Sequence, residues 1–150
     1  MSQSRISQSR ISQSPNRLLG VVFGLVYILV GLLGFGATPG VGFFATEGGL
    51  LLGLFEVNVF HNVAHLLIGS GLLLAGLSGA ASAKFLNTVI GAAYLVLGLA
   101  GLLLVGTAVN ILALNAADNV LHFASAAVLL AVGLGADKPA AKASSPLNAS

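Results

Sequence analysis

An all-α integral membrane fold is predicted for this chain: a four-helix bundle running up-down-up-down, made of two tandem related helix hairpins. Three observations predict it. Of 150 residues, 57% are hydrophobic and only 7% charged, whereas a soluble domain carries about 25% charged residues. Four apolar runs are each long enough to cross a hydrocarbon core of about 30 Å. Finally, an internal repeat pairs the first run with the third and the second with the fourth.

The elements follow in order. Residues 1–16 read Met, then Ser-Gln-Ser-Arg-Ile twice, then Ser-Gln-Ser-Pro-Asn. So polar a segment buries too little apolar surface to offset its ordering entropy, and a disordered tail is expected. Residues 18–36 form an uncharged first span. An Arg-bearing start before an apolar run also suits a signal peptide, but the run is too long for one and the repeat argues that it is kept. Residues 37–57 form a first outer loop with Pro39, Glu47 and Glu56, and its apolar patch Leu50 to Phe55 suggests a short re-entrant or interfacial segment. The second span is expected at 58–79, a tight turn at Ala80 to Lys84, the third span at 85–107 and the fourth at 115–135. The membrane domain is therefore 17–136, followed by a second disordered tail at 137–150. All four prolines fall outside the expected helices, where they cost least.

Charge orients the bundle. The six Lys and Arg residues lie in the N-terminal tail, the second-to-third turn and the C-terminal tail, which share one side of a four-span protein. The positive-inside rule makes that side the cytoplasm of a plasma-membrane protein. Glu47, Glu56 and Asp118 belong to the outer side. No basic patch or stripe suggests nucleic acid, and the absence of cysteine removes disulfides and thiolate chemistry.

The repeat is legible residue by residue. Gly24, Tyr27, Gly31 and Gly34 return as Gly91, Tyr94, Gly98 and Gly101, each offset by 67. Asn58, Asn62, His65 and Gly76 return as Asn115, Asn119, His122 and Gly133, each offset by 57. The difference of ten residues is extra length in the first outer loop. Each unit has two spans, so the copies run the same way, and a pseudo-twofold axis is expected along the membrane normal.

The densest polar cluster starts spans two and four. Asn58, His61, Asn62 and His65 stand at i, i+3, i+4 and i+7, one face of a helix. Asn115, Asp118, Asn119 and His122 repeat that ladder, with Asp118 in place of His61. Counting along the helices brings His65 close to the level of Tyr27 and His122 to that of Tyr94, and a mid-membrane tyrosine hydroxyl needs a partner.

The pattern Asn-x-x-His-Asn-x-x-His followed by Asn-x-x-Asp-Asn-x-x-His, set in four spans, resembles a family of bacterial, mostly actinobacterial, membrane proteins described only as a domain of unknown function. The run Leu51-Leu52-Gly53-Leu54-Phe55 is similar to that family as well. The resemblance covers roughly residues 17–135 and leaves out both tails. It implies a multi-pass membrane location and topology, and no activity.

The ladders admit several readings. Asn58 and Asn115 suit helix N-caps, and Asp118 completes a capping box and favours the helix dipole. Capping stops at the first turn, so His65 and His122 need another account, since ionisable groups at that depth face the bundle interior and are functional candidates. Interhelical hydrogen bonding among His, Asn and Tyr is the leading expectation, giving a structural or accessory subunit with no bound cofactor. A metal or haem site built from His61, His65, His122 and Asp118 is the second. Proton or small-solute passage is third, although no span is interrupted as transporter spans are. No phosphate loop or nucleophile elbow is present, so catalysis is not expected. The expected partners are the lipid bilayer and, beyond it, a further copy or a membrane complex.

Overall fold

The computed structural model describes residues 11–137. The expectations for residues 1–10 and 138–150 lie outside the described residues. Four long helices dominate: α1 (Pro15–Ala37), α2 (Val59–Ser78), α3 (Ala80–Leu104) and α4 (Ala116–Gly135). All four are long and apolar enough to cross a membrane, and the chain is a multi-pass membrane protein with an all-α bundle fold. Their outward faces stay apolar: Leu29, Leu67 and Leu103 are 55%, 70% and 79% exposed. Such surface suits hydrocarbon and would be unfavourable in water.

Three expectations are corrected. The N-terminal tail was expected to run to residue 16, yet helix α1 opens at Pro15, which Pro favours at a first turn. Ser14 caps it by accepting a bond from Arg17 N, and Asn16 is fully buried. The Ala80 to Lys84 segment is the first turn of α3 and not a turn between helices. Alanine is the best helix former and Ala83 is completely buried, so Gly79 alone separates α2 from α3. That helix ends at Leu104, short of 107, where the chain turns out through Val105 and Gly106 (φ +76°). The Leu50 to Phe55 patch, expected as a re-entrant or interfacial segment, is built as a hairpin: β1 (Gly49–Leu51) pairs antiparallel with β2 (Phe55–Val57). A two-stranded ribbon pairs its own backbone groups, so these apolar residues can lie over the helix ends without helical structure.

The ten-residue difference between the two outer loops corresponds closely to this hairpin. The shorter second loop is instead knitted by Asn110, whose amide donates to Leu114 O (2.9 Å) and accepts from Leu114 N (2.9 Å).

Each hairpin is tight within itself. A Cβ at Gly24 would stand 2.6 Å from Leu73 N, and one at Gly69 would stand 2.8 Å from Gly24 O. The backbones of α1 and α2 meet there, as small residues allow in membrane helices. Where the hairpins meet, Tyr27, Leu72, Tyr94, Ala126 and Leu129 form the buried core. Between the hairpins contact is sparser: α2 meets α3 beside the Gly79 link, α1 meets α3 across the core, and α1 and α4, the equivalent of the α2–α3 pair under the repeat, touch less than either. The bundle is therefore loosest on the α1–α4 side.

At the end of the bundle that holds Arg17 and Lys84, Asp137 fastens the loose side. Its Oδ2 accepts from Ser14 Oγ (2.8 Å), Asn16 N (3.0 Å) and Asn16 Nδ2 (3.0 Å). Asn87 on α3 donates to Asn16 O and Oδ1, both at 3.0 Å. The repeat-equivalent cations also act alike. Arg17 donates to Gly76 O and Leu77 O at the end of α2, and Lys84 to Ala136 O at the end of α4, where unpaired carbonyls favour a positive charge.

Candidate functional site

The two ladders fold as four pairs of equivalent residues, and the pairs divide by role. Asn58 and Asn115 are N-caps, accepting from His61 N (2.8 Å) and Asp118 N (3.0 Å). Each also uses its amide to hold a loop. Asn58 Nδ2 donates to Ala45 O (2.7 Å) and Ile111 O (2.8 Å), and Asn115 Nδ2 donates to Leu54 O (2.9 Å).

Asn62 and Asn119 lie against glycines of the neighbouring helix. A Cβ at Gly34 would collide with Asn62 Oδ1, and one at Gly101 with Asn119 Oδ1. These asparagines fill the space that the two glycines leave, and Asn62 adds a bond to Thr38 Oγ1 (3.3 Å). They are packing residues.

Asp118 completes the capping box, its Oδ2 accepting from Asn115 N (3.0 Å), and it also accepts from Glu56 N on β2 (3.2 Å). The hairpin is thus fastened to the start of α4. His61, its counterpart, places Nδ1 3.0 Å from Leu112 O. A carbonyl can only accept, so Nδ1 carries the proton and Nε2 offers a lone pair.

His65 and His122 are brought together with Tyr27 and Tyr94 near the axis. The equivalent tyrosines meet edge-on at 5.5 Å. Each stands by its own histidine: Tyr27 is 5.6 Å from His65 and Tyr94 is 5.2 Å from His122, between ring centroids. The His61 ring stacks on His65 at 4.7 Å and lies 6.2 Å from His122. The ring cluster forms, and the Tyr27 hydroxyl faces Ser125 and Tyr94 rather than a histidine. Among the described residues, His65 Nδ1 and His122 Nδ1 are buried without a hydrogen-bond partner, as are the amide oxygens of Asn62, Asn87 and Asn119.

These groups border a cavity of about 290 Å³. The three histidines, both tyrosines, Asp118 and Ser125 line its polar side. Val22, Phe23, Val26 and Val30 of α1 and Leu121 of α4 form its walls, and Leu51, Leu52, Phe55 and Val57 of the hairpin form its roof. It occupies the loose side, between α1 and α4. Sequence reasoning missed Ser125, although it stands three residues beyond His122 on the same helix face. The hairpin residues carry no such signal, because only the folded loop brings them over the site.

The expected metal set does not converge. Among the described residues no group of three or more His, Asp or Glu side chains is arranged to hold a metal ion. Asp118 is turned to backbone donors, and His61 and His65 stack nearly parallel, 16° between planes, which does not aim their lone pairs at one point.

What the fold and the site define is a four-span membrane protein with a polar-ended cavity beneath an outer hairpin. Over residues 17–135 the chain matches the family described as a domain of unknown function, DUF4383, and it belongs to that family. No curated protein and no solved structure matches it.

Proposed function

We propose that this protein is an accessory, non-enzymatic subunit of the plasma membrane that binds a small lipophilic molecule in the cavity, with both termini in the cytoplasm. The observation that carries the reading is the pair of partnerless ring nitrogens on His65 and His122 at a cavity whose other walls are apolar. An unpaired buried polar atom costs about 1–3 kcal/mol, and two in one place are accounted for when a ligand supplies their partners. Convergent polar groups at the end of an apolar pocket are the usual form of a small-molecule site.

The orientation rests on the placement of Lys and Arg. The site is tested by extracting the protein with its native lipid and comparing organic extracts of wild type and Val22→Phe by mass spectrometry. Val22 lines the cavity yet is 46% exposed, so a larger side chain fills the cavity mouth without disturbing the core. A compound enriched with wild type and missing from the variant is expected. Identical extracts would overturn the reading.

A further inference from the structure

We infer that the cavity takes a quinone: an uncharged planar ring with two carbonyl oxygens and a hydrocarbon tail. The inference rests on the ligand-binding reading above and names the class of molecule. The headgroup must be neutral. Among the described residues the cations are Arg17 and Lys84, both engaged at the opposite end of the bundle, so nothing at the cavity would hold a phosphate or carboxylate. Asp118, the carboxylate at its edge, has its Oδ2 engaged by two backbone N–H groups.

The polar atoms left unpaired match carbonyl acceptors. The Nδ1 atoms of His65 and His122 have no hydrogen-bond partner, and a neutral imidazole can carry its proton on Nδ1 and donate from there. The tyrosine and histidine rings that make the polar side meet one another edge-on, tilted or stacked, and aromatic surfaces of that kind receive a flat ring better than a flexible chain. The volume, about 290 Å³, is at the small end of the ~300–1,000 Å³ range of ligand sites, enough for a headgroup and the first part of a tail. The tail has a way out. Val22, Val26 and Leu121 line the cavity and are 46%, 48% and 47% exposed, on helix faces that meet lipid. Entry is sideways, between α1 and α4.

The repeat supplies a matched control. Val89 is the equivalent of Val22, is 44% exposed, and does not line the cavity. The protein also supplies its own reporter: it has two tyrosines and no tryptophan, and both tyrosines line the cavity. The experiment titrates menaquinone bearing a single isoprene unit into the full chain in neutral phosphatidylcholine vesicles and follows tyrosine emission. Saturable quenching at one quinone per chain is expected. Affinity should fall at least tenfold in Val22→Phe and in the double variant His65→Leu/His122→Leu, and hold in Val89→Phe. Circular dichroism confirms that each variant is folded. Farnesol, an isoprenoid chain ending in a hydroxyl, is run alongside and read as thermal stabilisation in detergent. Stabilisation by farnesol without saturable quenching by the quinone overturns the quinone and leaves the lipophilic-ligand reading standing. Inaction of both probes overturns the two together. Linear quenching, equal in Val22→Phe and Val89→Phe, is partition into the bilayer and also overturns the assignment.

Discussion

His65 and His122 hold ring nitrogens that are buried without a partner, and that arrangement separates stability from binding. Replacing a buried, unsatisfied polar group with an apolar one of similar size is close to neutral or stabilising. The double variant His65→Leu/His122→Leu is therefore expected to unfold in detergent at or above the temperature of wild type stripped of ligand, while no longer binding one. A fall in the midpoint would return these residues to the interhelical bonding role first expected of them. Asn62 and Asn119 behave in the opposite way. Their side chains stand where a Cβ would be at Gly34 and Gly101, so Gly34→Ala and Gly101→Ala each overpack a helix contact. Each should cost about 1–3 kcal/mol, read as a lowered unfolding midpoint, and the two losses should be similar because the positions are equivalent.

Between elements, the weak junction of α1 and α4 is held by the Asp137 latch at one end and capped by the hairpin at the other. Burial works to raise the Asp137 carboxyl, but the N–H of Asn16, the hydroxyl of Ser14, the amide of Asn16 and the nearby Lys84 charge outweigh it, so Asp137 ionises below its ordinary range. A depressed folded value gives stability that is complete above the unfolded pKa of about 3.9 and is lost as pH falls through the folded value. The latch is accordingly closed at neutral and mildly acidic pH and opens in strong acid. Asp137→Ala should lower stability by about 1 kcal/mol, discounted for its position at the surface. The difference from wild type should be constant above about pH 4 and shrink below it, as followed by thermal unfolding across pH. At the other end, excising residues 47–56 shortens the first outer loop to the length of the second. The four helices are expected to keep their circular dichroism, with the cavity roof gone and ligand binding lost.

For the whole molecule, the placement of every Lys and Arg on one side makes topology the direct test. Reporter fusions after Gly79 and after Ser150 are expected to read cytoplasmic, and one after Gly48 external. An external C-terminus would end the four-span arrangement with cytoplasmic termini. The same scale explains why a duplicated protein has one cavity. Twofold symmetry relates the α1–α4 junction to the α2–α3 junction, but Gly79 ties only the second, and only the first outer loop carries a hairpin. Two equivalent halves therefore enclose a single asymmetric site.

The helices, their order and the duplicated polar ladder were legible in residue order, because hydropathy over a span, capping chemistry at Asn58 and Asn115, and spacings of three and four are local properties. The ten-residue difference between the offsets marked where the halves differ, but not that the difference folds as β1 and β2. Strand pairing depends on which backbone groups meet after the chain turns at Leu52 and Gly53. For the same reason Ser14 and Asn16 read as tail when their order comes from Asp137, 123 and 121 residues away. The ladder placed His65, His122, Tyr27 and Tyr94 near one another. Whether they would bond to one another or face an empty space was a matter of how closely α1 meets α4, and side-chain packing between distant helices, not periodicity within one, decides that distance.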